Sequence, residues 1–103
     1  MSAISTASLE ASAQRLFPNL SLDQVMAELL LERAQKNLIK YQALARQFEV
    51  KHGRSFDAFR QVILSTEPSF AMEQDYFDWE LAVTGISDMQ REIQRLKSLS
   101  ETA

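Results

Sequence analysis

The amino-acid sequence predicts an all-α protein: a long antiparallel helical hairpin, with a short connecting helix and a weak N-terminal helix or arm. Two apolar seams with helical spacing of three and four residues carry this prediction: Leu31, Ala34, Leu38, Tyr41, Ala45 and Phe48, and Trp79, Ala82, Ile86, Met89, Ile93 and Leu96. The chain also has only 2 glycines and 2 prolines in 103 residues, too few for a sheet rich in hairpins. We therefore expect residues 31–48 and 79–96 to pack against each other in opposite directions.

Composition narrows the possible classes of function. The chain has no cysteine, which excludes disulfides and thiolate metal sites and leads us to expect a reducing, cytoplasmic location. A net charge of -3 argues against a nucleic-acid surface and favours a basic partner. No apolar run approaches the roughly 20 residues that span a bilayer, so we expect no membrane segment.

The length suits one hairpin domain over residues 21–100, preceded by a flexible or weakly helical arm over residues 1–20. We expect residues 1–6 to be mobile. From Ser8 onward, a weak amphipathic turn or two places Leu9, Ala13, Leu16 and Phe17 on one side, and Pro18 ends it. The arm either docks loosely, which we favour, or folds onto a partner as a clasp.

The first long helix has clear start and stop signals. Ser21 and Gln24 form the pattern of a capping box, the helix is predicted from Leu22 to about Lys51, and Gly53 follows its end. Its first turns carry extra apolar residues away from the seam, namely Leu22, Val25, Met26, Leu29 and Leu30. Burial of the seam alone cannot offset the entropy of ordering two long helices. We therefore expect a homo-oligomer or a complex with another protein that covers this surface.

The remaining elements follow from capping residues and proline. Ser55 precedes a short helix, Phe56 to Leu64, whose apolar residues can cover one end of the hairpin. The second long helix is predicted to begin between Pro68 and Met72 and to fray from Ser98 to Ala103. Gly85 lies inside this helix, where a kink or a close helix contact is the usual reason for a glycine.

Two groups of residues could carry chemistry. His52 is the only histidine, and its place beside Gly53 favours a role at the helix end over catalysis. The second group is acidic and aromatic: Glu73, Asp75, Tyr76, Phe77, Asp78 and Glu80. Asp75 and Asp78 share a helix face, but two carboxylates make a weak metal site, so we expect no metal, no cofactor and no enzyme activity. We interpret the group as a docking surface for a basic protein, and we assign Trp79 to the core.

The phrases Phe48-Glu49-Val50-Lys51-His52-Gly53-Arg54-Ser55-Phe56-Asp57-Ala58-Phe59 and Asp75-Tyr76-Phe77-Asp78-Trp79-Glu80 carry a family resemblance. They resemble small helical bacterial and archaeal proteins in which F-E-x-K-Y-G-x-S-F-x-x-F precedes D-Y-F-x-W-E. Some of these are assigned as antitoxin components of two-gene toxin–antitoxin systems. The resemblance covers about residues 42–96 and implies a non-catalytic protein that neutralises a small toxin by binding it.

Two functional hypotheses follow. The first is an antitoxin-like binding module that takes a small basic protein through the acidic and aromatic group. The alternative is a structural homo-oligomeric helical protein with no toxin partner, assembled through the apolar residues between Leu22 and Leu30. Many antitoxins also bind DNA, but the sequence offers neither a basic patch nor a helix-turn-helix, so we expect no direct nucleic-acid binding.

Overall fold

The computed structural model describes residues 5–102 and contains four α-helices over that range. They are α1 (Thr6–Leu16), α2 (Leu22–His52), α3 (Phe56–Ser65) and α4 (Phe70–Thr102), and no strand occurs among these residues. The predicted all-α class is confirmed. The mobility expected of residues 1–4 lies outside the described residues, whereas Ser5 and Thr6 begin the first helix.

The two long helices form the predicted antiparallel hairpin. Ala34, early in α2, is buried with Ile93 and Leu96 from the later part of α4. At the opposite end, the rings of Phe48 and Trp79 stack with centroids 5.9 Å apart. The two seams therefore face each other along an elongated molecule that measures 59 × 36 × 18 Å.

Local capping explains where α2 begins and ends. The Ser21 hydroxyl accepts a hydrogen bond from the Gln24 amide at 3.2 Å, and the Gln24 side chain accepts one from the Ser21 amide at 2.8 Å. This is the predicted capping box. At the other end Gly53 has φ 61° and ψ 29°, a left-handed conformation that glycine adopts without steric cost.

Serine residues cap the two later helices as well. Ser55 accepts from the amide of Ala58 at 3.1 Å, and Ser69 accepts from the amide of Met72 at 3.2 Å. The second of these caps starts α4 at Phe70, within the predicted range. Helical geometry continues to Thr102, beyond the point where we expected fraying, since Leu96 is buried against α2 and supports the last turns.

Gly85 marks a close contact between the long helices and causes no break in α4. A Cβ atom built on Gly85 would lie 2.7 Å from Cδ2 of the Tyr41 ring, far inside contact distance. The Tyr41 ring therefore occupies the space that any larger residue would need. Of the explanations offered by the sequence, the structure shows the close helix contact.

Helix α1 packs on the first turns of α2 at the open end of the hairpin. It begins two residues before the predicted turn and ends just before Pro18. None of its residues is buried, whereas Val25 of α2 has a relative exposure of only 3%. The helix therefore covers the start of α2 only in part.

Candidate functional site

The aromatic residues of the two motif phrases meet around Trp79, where α2, α3 and α4 converge. Its indole lies 5.9 Å from the Phe48 ring, 5.4 Å from Phe56 and 5.5 Å from Phe59, measured between ring centroids. Trp79 and Phe59 are the most deeply buried large side chains among the described residues. Contacts between aromatic rings stabilise a fold beyond the burial of their apolar area. This cluster therefore holds the three helices together at the closed end of the hairpin.

A polar contact ties the same end together. Nε2 of His52 lies 2.9 Å from Oδ2 of Asp75, and Nζ of Lys51 lies 2.7 Å from the same oxygen. Since a carboxylate only accepts hydrogen bonds, Nε2 of His52 carries a proton and donates the hydrogen bond to Asp75. The hydrogen bond from Lys51 and, in smaller part, that from His52 lower the pKa of Asp75 below 3.8, although burial opposes this shift.

The surroundings of His52 explain its role. The imidazole packs against the Phe59 ring with centroids 4.1 Å apart and stacks on Trp79 at 5.9 Å. Its side chain is only 16% exposed, so the ring is enclosed by aromatic residues and by Asp75. The sequence predicted a role for His52 at the end of α2. It contained no local signal for the partner of His52, Asp75 of α4, which lies 23 residues away.

Tyr76 also belongs to the internal contacts of this end. Its ring stacks on Phe56 with centroids 5.6 Å apart and an interplanar angle of 4°. Its hydroxyl donates a hydrogen bond to Oε2 of Glu80 at 3.0 Å. Desolvation of the phenol, together with this acceptor, raises the pKa of Tyr76 above 10.0.

A different set of residues forms the free face of α4. Phe70, Phe77 and Leu81 are 82%, 55% and 67% exposed. Their spacing of seven and four residues places them on one side of the helix, opposite Trp79 and the seam. Glu73, Asp78 and Glu80 flank this row, and we refer to the six residues as the α4 outer face.

The carboxylates of the α4 outer face have no ion-pair partner in the part of the chain that the structure describes. Across residues 5–102, no ion pair includes Glu73, Asp78 or Glu80. Asp78 accepts a hydrogen bond from the neutral amide of Gln74 at 3.2 Å. The face therefore combines exposed apolar area with net negative charge.

The structure thus divides the six residues predicted as a docking surface. Glu73, Phe77 and Glu80 are exposed on the α4 outer face, and Asp78 lies half-buried at its edge. Asp75 and Tyr76 instead hold α4 to its neighbours. Sequence reasoning missed Phe70 and Leu81, although their spacing from Phe77 was a signal that could have found them.

A second candidate site is an apolar groove of about 400 Å³ between α1 and α2. Leu9, Leu16 and Phe17 line one side, and Leu22, Met26 and Leu29 line the other. Of the residues predicted as an association surface, Val25 is buried, Leu22 is just exposed, and Met26, Leu29 and Leu30 are 52%, 47% and 50% exposed. We refer to this feature as the α1–α2 groove.

Two further features are absent from the part of the chain that the structure describes. No group of three or more histidine, cysteine, aspartate or glutamate side chains comes together there as a metal site. None of the helices within residues 5–102 is both long and apolar enough to cross a lipid bilayer.

Comparisons of the chain with protein-family models, with curated proteins and with solved structures gave no match.

Proposed function

We propose that this chain is a non-catalytic protein-binding module of the antitoxin kind, which neutralises a small basic protein by binding it directly. The α4 outer face is the binding surface in this proposal. The absence of cysteine suits a reducing compartment, so we place this binding in the cytoplasm.

The observation that carries the proposal is the composition of the α4 outer face. Large apolar side chains, above all Phe77, supply contact area of the kind that dominates binding energies. Glu73, Asp78 and Glu80 surround that area and have no cationic partner within the described chain. Carboxylates at the rim steer a basic protein towards the face and disfavour acidic ones.

The family resemblance supports the same surface. Within Asp75-Tyr76-Phe77-Asp78-Trp79-Glu80, the fold itself uses Trp79 in the aromatic cluster and Asp75 in the contact with Lys51 and His52. Phe77 is 55% exposed, and its ring meets the Tyr76 ring with centroids 5.8 Å apart. The exposed part of the Phe77 ring is available to a partner.

The polar cluster at the closed end supports a non-catalytic role. A catalytic histidine needs a neighbouring nucleophile or a substrate within hydrogen-bond reach. Here the Nε2–H of His52 is used by Asp75, and the faces of the ring are packed on Phe59 and Trp79. Lys51, His52 and Asp75 therefore act as a structural tie between α2 and α4.

The test is co-expression with the protein encoded by the neighbouring open reading frame. We expect that protein to be small, basic, toxic when expressed alone, and harmless and co-purified when expressed with this chain. Titration calorimetry of the purified pair then gives a dissociation constant for each variant. Absence of any complex in co-purification would contradict the proposal.

Variants of the α4 outer face locate the binding surface. Phe77→Ala should weaken binding roughly thirtyfold, as expected for the loss of an aromatic anchor worth about 2 kcal/mol. Glu73→Lys should weaken it less, mainly by slowing association, and added salt should reduce the difference.

Matched controls come from the rest of the surface. Leu64→Ala removes an exposed apolar side chain from α3, and Glu28→Lys reverses an exposed carboxylate on α2. Both controls should bind as the wild type does. If they weaken binding as much as the variants of the α4 outer face, that face is not the binding surface.

A further inference from the structure

The isolated chain exposes far more surface than a compact protein of its mass. Its accessible surface is 7731 Å², with a radius of gyration of 19.8 Å. A compact monomer of 11.8 kDa exposes about 5,900 Å² and has a radius of gyration of about 13 Å. The excess of about 1,800 Å² falls within the area that each chain of a stable homodimer buries.

Much of the apolar part of this excess lies at the open end of the hairpin. Of the 13 large hydrophobic residues that are exposed in the described part of the chain, 6 lie between residues 9 and 30: Leu9, Leu16, Leu22, Met26, Leu29 and Leu30. They form and border the α1–α2 groove. The helix that forms one wall has no buried residue, and a free helix of 11 residues is marginal in water. Both the groove and α1 therefore gain from a further covering element.

The charges around the groove indicate what covers it. Exposed residues of both signs flank it, with Glu10 and Arg15 on α1 and Asp23, Glu28 and Arg33 on α2. In a two-fold dimer a surface meets its own copy, so a patch of one sign repels itself whereas a mixed rim does not. This mixture distinguishes the groove from the α4 outer face, whose flanking carboxylates would repel a second copy.

We propose that a second copy of this chain covers the α1–α2 groove, and that the protein is a two-fold homodimer joined through α1 and the first turns of α2. Met26 and Leu29 lie at the centre of the contact. The copy buries the apolar surface that α1 leaves open and holds α1 against α2.

This contact is separate from the proposed binding of a basic protein. Tyr41 lies against Gly85, so Phe77 lies level with about residue 49 of the antiparallel helix. Met26 is therefore roughly 35 Å from Phe77, at 1.5 Å per residue along α2. The dimer leaves the α4 outer face of both copies free, and either proposal can fail without the other.

Sedimentation velocity of the full chain, from micromolar to submillimolar concentration, tests the proposal. We expect twice the monomer mass at the upper concentrations. Met26→Glu and Leu29→Glu should each raise the dimer dissociation constant at least about tenfold, because each buries a charge in an apolar contact. Circular dichroism should show a loss of helix content no larger than the 11 residues of α1, since both side chains are half-exposed in the single chain.

Ile39→Glu is the matched control, because Ile39 is also an exposed hydrophobic residue of α2 but lies outside the groove. It should leave the dissociation constant unchanged. A monomer at every concentration, or a control that disrupts the dimer as strongly as Met26→Glu, would overturn the proposal. A groove that instead takes an acyl chain or a helix of another protein would give the first of these outcomes.

A distance measurement locates the contact independently of stability. The chain has no cysteine, so Ala11→Cys on α1 and Ala58→Cys on α3 can each carry a single spin label. Both sites are exposed. The distance between labels on the two copies should be shorter for Ala11 than for Ala58, and the reverse order would place the contact at the other end.

Discussion

The two ends of the hairpin differ in how the chain closes them. At the closed end, aromatic side chains from three helices surround Trp79, and Asp75 binds both Lys51 and His52. At the open end, α1 lies on α2 without burying any of its own residues. The closed end is complete within one chain, whereas the open end leaves an apolar groove.

The two ends therefore differ both in how rigidly their helices are held and in the surface that they leave exposed. The α4 outer face lies on the back of the closed end, so its side chains sit on a helix held by the aromatic cluster. The binding that we propose there would cost little conformational entropy. The α1–α2 groove lies beside α1, which buries none of its own residues and would adjust under the second copy that we propose.

Trp79→Ala should have the largest effect, lowering the free energy of unfolding by about 3–5 kcal/mol because it empties the centre of the aromatic cluster. Val25→Ala, at the open end, should cost about 2 kcal/mol or less, since it removes only two buried carbon atoms. Urea denaturation at one protein concentration, followed by circular dichroism, measures both. Equal costs would show that the closed end is not the more tightly packed one.

Asp75→Asn should lower the free energy of unfolding by about 1–2 kcal/mol at neutral pH, since it weakens the contacts with Lys51 and His52. The pKa of Asp75 is lowered from 3.8 in the folded chain, mainly by Lys51. Asp75 therefore contributes its full stabilisation above pH 3.8, and this contribution is lost as the pH falls through the lower pKa that Asp75 has in the folded chain.

Denaturation curves of the wild type and Asp75→Asn should therefore converge below pH 3.8 and separate above it. Asp78→Asn is the control, because Asp78 accepts a hydrogen bond only from the nearby Gln74 side chain among the described residues. A pH dependence that is the same for both variants would show that Asp75 does not tie the helices together.

Gly85→Ala should destabilise the hairpin by about 1 kcal/mol. Alanine is the better helix former by about 1 kcal/mol, but its Cβ would lie 2.7 Å from the Tyr41 ring. Overpacking of this kind costs about 1–3 kcal/mol and outweighs the gain. In the background of Tyr41→Leu, Gly85→Ala should become neutral or stabilising, and a double-mutant cycle in urea measures the coupling. Simple additivity would contradict the contact.

Leu9→Ala should have the smallest effect, below about 1 kcal/mol, because Leu9 remains half-exposed on α1. Amide hydrogen exchange gives a sharper comparison. At low protein concentration the amides of α1 should exchange much faster than those of α4 around Trp79. Equal protection of the two helices would remove the contrast between the ends.

The sequence was sufficient for most of the fold because its signals are local. The capping box of Ser21 and Gln24 and the glycine at position 53 depend on residues within one turn of a helix end. The seams from Leu31 and Trp79 repeat at helical spacing, which sets the faces that must meet. Two such faces in one short chain leave few arrangements besides a hairpin.

The sequence predicted the acidic and aromatic group as a docking surface but not the internal contacts of its members. Asp75 contacts α2 and Tyr76 contacts α3 within the chain. Their partners, Lys51, His52 and Phe56, come from α2 and α3, and no local pattern links them to α4. Phe70 and Leu81 lie outside the cluster of charges around Phe77, and only helical spacing links them to it.

By itself, the sequence determined which residues form helices, where those helices begin, and which faces lie inward. Helical periodicity and capping act over a few residues, so a linear pattern contains them. Only the tertiary structure decided which carboxylates and aromatic rings remain free for a partner. A carboxylate that pairs with Lys51 and His52 on another helix is no longer available to another protein, and only folding brings such residues together.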